Sequence, residues 1–139
     1  MIVQATSPGR TVLVRLDPHQ DLLLGLRQAI DEAGISDGVI LCGVGSLSAY
    51  HFHVVSSTDL PPTNGFVRGD GPWDIVNVNG AILGGRVHAH ITFTNETQTL
   101  GGHLEEGTTV LTFAIIAIQE TPNAGLASWD TVGPLAPTG

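Results

Sequence analysis

The stretch Arg86 to Leu104, RVHAHITFTNETQTLGGHL, constrains the chain more than any other part, because its spacing suits an antiparallel sheet and little else. Successive side chains of a strand alternate faces, so His88 and His90 point one way and Ala89 and Ile91 the other. The β-branched and aromatic run gives way to polar Asn95-Glu96-Thr97-Gln98, where a two- or four-residue hairpin loop can reverse the chain. An even loop centred on Glu96 and Thr97 sets His103 opposite His90, with Cβ atoms about 5 Å apart. An odd loop sends His103 to the other face unless Gly101-Gly102 forms a compensating bulge. Three neutral imidazoles with a fourth position open form the ligand set of a catalytic zinc site. Closed structural sites usually recruit cysteine, and this chain has only Cys42. His88, His90 and His103 are therefore expected to bind zinc or another divalent transition metal. The plainer alternative is a polar sheet face that happens to use histidine.

At 139 residues, 42% of them hydrophobic, the chain is long enough for one domain with a real core. Residues 1–120 read as that domain and 121–139 as a tail rich in proline and glycine, extended or partly disordered, with Leu126 and Trp129 available to dock. The formal charge is -8, with no lysine and only Arg10, Arg15, Arg27, Arg68 and Arg86 as cations, which argues against direct DNA binding. A single cysteine excludes an internal disulfide. The first ten residues lack a signal-like apolar run, and no stretch approaches the roughly 20 apolar residues of a membrane helix. A cytoplasmic protein without membrane contact is expected.

Thr11 to Leu16 alternates as a strand, and a helix follows with Asp17 as its cap, Pro18 in its first turn and Gly34 as its stop. His19 is expected to be solvated. Gly38 to Val44 reads as a short strand buried on both faces, with Cys42 in the core and a turn or bulge at Gly45-Ser46. Leu47 to Ser56 reads as a separate strand. The proline, glycine and aspartate of residues 58–72 predict a long loop that could edge a pocket. Trp73 to Asn79 alternates, with Trp73 and Ile75 on one face and Asp74, Val76 and Val78 on the other. Thr108 to Ile118 is the longest apolar strand, suited to the middle of a sheet or a subunit interface.

Further candidates surround the three proposed ligands. His51 and His53 form a second H-x-H pair on one face and are candidates for acid/base work, with a solvated face or a subunit contact as the alternative. Glu105 follows the third ligand closely and could orient an imidazole or act as general base, although turn glutamates are often merely solvated. Arg86 shares the ligands' face and could clamp a carboxylate; Tyr50 is a further substrate contact. The chemistry open to such a set is Lewis-acid polarisation of a small carbonyl or carboxylate compound in a lyase-type step, with hydrolysis close behind.

G-V-G-S-L at 43–47, H-A-H-I at 88–91 and G-G-H-L at 101–104, in that order, resemble the plant and prokaryote conserved domain, also called domain of unknown function 296. The likeness runs from about Arg10 to Glu120, most of the chain. It implies an α+β fold, an antiparallel and partly barrel-like sheet packed with one main helix, assembled as a homotrimer. It also implies a metal site at His88, His90 and His103 and a fold relationship to acetolactate decarboxylase, a zinc enzyme. Plant members join this domain to a basic AT-hook arm, and many bacterial members are called DNA-binding by that association. This chain has no such arm, carries Ala114-Ile115-Ile116 where many members place a glutamate, and adds the second H-x-H pair. A non-catalytic DNA-associated module and a metal-dependent ligand sensor therefore stand beside the enzyme.

Overall fold

The computed structural model describes residues 1–136. Within them, six strands and one helix follow in the order β1 (Thr11–Leu16), α1 (Leu22–Ala33), β2 (Gly38–Val55), β3 (Asn64–Leu83), β4 (Arg86–Thr94), β5 (Thr99–Leu104) and β6 (Thr109–Glu120). All strand pairings are antiparallel, in the sheet order β1-β6-β2-β3-β4-β5. β2 is long enough to pair with β6 and β3 and, near its end, with β5 through Phe52↔Leu104 and His53↔His103. That short pairing closes β2-β3-β4-β5 into a ring of hydrogen bonds without making a clean barrel. The α+β class, with a partly barrel-like antiparallel sheet and a single helix, is the one the resemblance implies.

Alternation sorts the core. Ala89, Ile91 and Phe93 of β4, Val78 and Ile82 of β3, and Ile116 and Ile118 of β6 are buried together with the helix stripe Leu22, Leu26 and Ile30. Each such aliphatic or aromatic side chain contributes about 1.5–3 kcal/mol on burial, which favours this register over a slip that would turn the faces over. The opposite face of β1, β6 and β2 leaves Leu13, Val39, Leu41, Val44, Phe113 and Ile115 exposed.

Several local expectations change. The helix cap is Asp21, not Asp17: its backbone is extended and its side chain accepts from Leu24 N–H. Residues 17–20 cannot begin the helix because His19 N–H is bonded to Val110 O and Gln20 accepts from Val110 N–H, which ties the chain to β6 first. The two segments 38–44 and 47–56 are one strand, and of the turn or bulge expected at Gly45-Ser46 it is the bulge that forms, with Gly45 at φ 147° and a register shift between Gly45 and Leu47. Another register shift, between Ile40 and Cys42, turns Cys42 outward, so it is exposed and not a core residue. The long loop expected over 58–72 shrinks to a short connection, because Asn64 to Asp70 pair with β2 from Val55 to Ala49 and the ladder outweighs the loop-like composition. A bulge between Ile75 and Asn77 flips parity, so Val78 is buried on the same side as Trp73 and Ile75.

The tail is not simply extended. Ala124 and Leu126 are buried against Leu83 and Ala81, as expected for Leu126, whereas Trp129 remains 39% exposed. The last part of the expected tail, residues 137–139, lies outside the described residues.

Candidate metal centre

The hairpin forms with the expected parity. Thr94 pairs with Thr99, Asn95 N–H bonds Gln98 O, and His90 stands opposite His103. Gly101-Gly102 does not supply a bulge. A Cβ at Gly102 would lie 2.6 Å from His53 O, so the missing side chain is what lets β5 approach β2. The closed ring then lines up Asn79, His90, His103, His53 and Phe66 side by side across four strands. His88, two residues before His90, flanks this row.

Four imidazoles thus converge. Ring centroids are 4.7 Å apart for His88 and His103, 5.5 Å for His90 and His103, 5.6 Å for His88 and His90, and 4.2 Å for His53 and His103. Two imidazoles sharing a tetrahedral ion at about 2.0–2.1 Å per bond have centroids roughly 5 Å apart, which is the scale of the centroid separations among His88, His90 and His103. Among the described residues, however, only His53, His103 and Glu105 bring three ligand atoms within 4.8 Å of one another. The nitrogen nearer the backbone is engaged in three of the four rings. His53 Nδ1 is 2.5 Å from Glu105 Oε1, His88 Nδ1 is 3.1 Å from Asp130 Oδ2, and His103 Nδ1 is 3.1 Å from Leu104 O. Acceptors on Nδ1 leave Nε2 with its lone pair free, which is how outer partners prepare histidines for a metal.

A second donor set overlaps the first. His53, His103 and Glu105 could hold a metal ion, since one ligand atom from each lies within 4.8 Å of the others. The two sets share His103. At 2.5 Å, however, His53 Nδ1 and Glu105 Oε1 are at hydrogen-bond separation, and an ion between them would have to displace that bond. The existing contact favours Glu105 as an acceptor that orients His53 rather than as a ligand.

The remaining candidates divide. His51 shares a strand face with His53 but is buried: its Nδ1 lies 2.6 Å from Glu106 O, and its backbone is bonded to Thr108 and Glu105. It braces the turn that carries Glu105 and is not among the converging rings. Tyr50, on the opposite face of β2, packs against Phe52, Trp73 and Phe93, so it belongs to the aromatic core and not to the histidine cluster. Arg86 stands at the rim, where it forms a bidentate pair with Asp130 at 2.9 and 3.0 Å.

Two depressions meet at the rings. One of about 530 Å³ is lined by the four histidines together with Val54, Val55, Pro61, Pro62 and Val132. The other, of about 610 Å³, presents Arg27, Arg86, Asp130, His88 and His103. Apolar and charged walls therefore share His88 and His103.

Electrostatics favour the neutral form of His90 and His103. The pKa of His90 is lowered chiefly by its partial removal from water, then by His88 and His53; that of His103 is lowered chiefly by burial, then by His53 and His88, with Glu105 opposing. A hydrogen bond from Arg86 leads the causes that hold the Asp130 carboxyl far below the usual range. Asp130 and the β2–β5 closure are the parts sequence reasoning missed. Alternation reveals faces, but no local signal tells which distant strand will meet His53 or that residue 130 will return to residue 88.

Known proteins share this architecture. A curated relative, the bifunctional protein GlmU of Synechococcus sp., is 30% identical over 122 residues, 86% of this chain, and the chain spans only 18% of its length. A plant- and prokaryote-conserved protein of Pyrococcus horikoshii superposes with a TM-score of 0.76 at 25% identity, covering 98% of this chain and 99% of the other. A metal-containing protein of Archaeoglobus fulgidus gives 0.71 at 18% identity, covering 91% and 96%. Proteins of Bacteroides thetaiotaomicron and Ralstonia eutropha, described as candidate DNA-binding proteins, give 0.69 and 0.68 at 21% and 24% identity, covering 85% and 85%, and 81% and 78%. Acetolactate decarboxylase of Bacillus subtilis gives 0.54 at 14% identity, covering 84% and 54%. Below 25% identity these likenesses establish a common fold and no more. The family model for the Plants and Prokaryotes Conserved domain matches residues 3–122, and with this fold and hairpin the chain belongs to the Plants and Prokaryotes Conserved (PCC) domain family.

Proposed function

We propose that the chain is a metal-dependent protein acting on a small carbonyl or carboxylate compound, with His88, His90 and His103 holding zinc or a similar divalent transition metal. The observation that carries this reading is the convergence of the His88, His90 and His103 rings, two of which, His88 and His103, hold Nδ1 against an acceptor. An all-imidazole set suits zinc, copper, iron or nickel better than magnesium or calcium. The metal-containing neighbour and the decarboxylase neighbour accord with it. A bound ion supplies Lewis acidity toward a carbonyl or carboxylate oxygen.

The chain's own groups supply the rest. His53, with Nδ1 against Glu105, can accept or return a proton at Nε2, which makes this pair the acid/base candidate. Val54, Val55, Pro61 and Pro62 give the depression an apolar wall against which the carbon part of a small ligand can pack. A homotrimer, which the family resemblance implies, is part of the proposal, and the exposed apolar side chains Leu13, Val44, Phe113 and Ile115 on one sheet face are its candidate interface.

Turnover is the test. Metal-loaded protein should deplete members of a panel of small keto acids, hydroxy acids and esters, and chelation should abolish this. Stoichiometric metal without turnover of any member would favour the ligand sensor. The DNA-associated reading, raised by the names of two neighbours, predicts duplex binding that weakens steeply with salt; the charge of -8 predicts none at physiological ionic strength.

A further inference from the structure

The segment from Ala124 to Val132 lies beyond the residues matched by the family model, yet it reaches the histidines. Its anchor is Asp37, a carboxylate only 7% exposed that accepts from Gly84, Gly125 and Leu126 N–H at 3.0, 2.8 and 3.2 Å. Asp37 O also accepts from Thr121 N–H. Ala124 and Leu126 bury themselves beside Leu83, in the strand that leads into the β3–β4 turn. Beyond this anchor, Arg86 donates to Ala127 O at 2.7 Å and grips both oxygens of Asp130. Asp130 Oδ2 in turn lies 3.1 Å from His88 Nδ1, and Val132 forms part of the apolar wall.

An ionised carboxylate can only accept, so the hydrogen in the Asp130–His88 contact sits on His88 Nδ1. We infer that residues 124–132 form a clasp that readies His88 as a ligand, with Asp130 as a positioning residue fixing the tautomer whose Nε2 lone pair is free. Arg86 then serves the clasp: both terminal nitrogens are committed to Asp130 and Ala127, which replaces the role of substrate clamp expected from sequence. The consequence for metal affinity rests on the ligand set proposed above, whereas the consequence for the tautomer does not.

The two are separable by experiment. Long-range nitrogen–proton NMR on metal-free protein should show His88 as the Nδ1–H tautomer in the wild type and a shift toward Nε2–H in Asp130→Ala. Competition with a chromophoric chelator should show zinc affinity falling by about 10–100-fold in Asp130→Ala, as for other outer partners of metal-binding histidines. Asp130→Asn, whose amide oxygen still accepts, should retain the tautomer and most of the affinity, and it decides the matter if the alanine variant does not fold. An unchanged His88 tautomer in Asp130→Ala, or Nε2–H in Asp130→Asn, would overturn the clasp. A tautomer shift in a protein whose wild type binds no zinc would uphold the clasp and sink the metal reading.

Discussion

His103 is the residue at which the site is decided. It belongs to both possible donor sets, pairs across one strand with His90 and across the other with His53, and reaches those positions only because β5 is pressed between β4 and β2. The parity that sets His90 opposite His103 was legible in sequence, since it needs only the period of a strand and the length of one hairpin. The His53 contact was not, because it depends on closure between segments fifty residues apart in the chain. Titration follows from the same crowding. The pKa values of His90 and His103 are lowered in the folded state, so the unfolded chain binds more protons as pH falls through the ordinary histidine range near 6.5. Stability of the metal-free protein should therefore be full above that range and decline as pH falls below it, and denaturant midpoints between pH 7.5 and pH 5 would register the decline. His90→Gln should flatten the profile; an unchanged slope would mean that ring crowding is not its source. The Asp130 shift, also downward, acts only below the ordinary aspartate range and leaves this window untouched.

Elements were read well where periodicity was local and poorly where a bulge intervened. β1, the helix stripe and β6 follow simple alternation or helical spacing, and each stands close to its expected place. The shifts at Cys42 and Val78 share one cause: a single extra residue changes the parity of everything after it, and nothing in the side-chain pattern announces it. Composition misled at residues 64–72, where cross-strand hydrogen bonds outweigh glycine and proline, and at Asp17, where contacts to β6 delay the helix. Gly80 shows how an irregular strand position supports the site. Its φ is 150°, and a Cβ there would lie 2.1 Å from His88 O, a backbone atom with little freedom to yield. Gly80→Ala should cost about 1–3 kcal/mol in equilibrium denaturation and displace His88. A loss of a few tenths would indicate that β3 and β4 are held less rigidly than the register implies.

The whole molecule is a sheet with two unequal faces. One carries the core and helix; the other, over β1, β6 and β2, exposes Leu13, Val39, Leu41, Val44, Phe113 and Ile115 beside Cys42. If that face forms the proposed trimer, light scattering should give three times the chain mass, and Phe113→Glu should yield monomers that remain folded with Cys42 open to thiol reagents. A monomeric wild type would contradict the assembly and leave the histidine site unaffected. Within one chain, ring closure places four imidazoles at a junction between charged and apolar walls, where His88, His90 and His103 are proposed to hold a metal. Elemental mass spectrometry on protein prepared without a histidine tag, comparing wild type, His90→Ala and His53→Ala after identical zinc loading, decides whether they do. Near-stoichiometric metal per chain in the wild type and His53→Ala, with little in His90→Ala, is the predicted result; metal that survives His90→Ala but disappears with His53→Ala, or no metal in any sample, would contradict it.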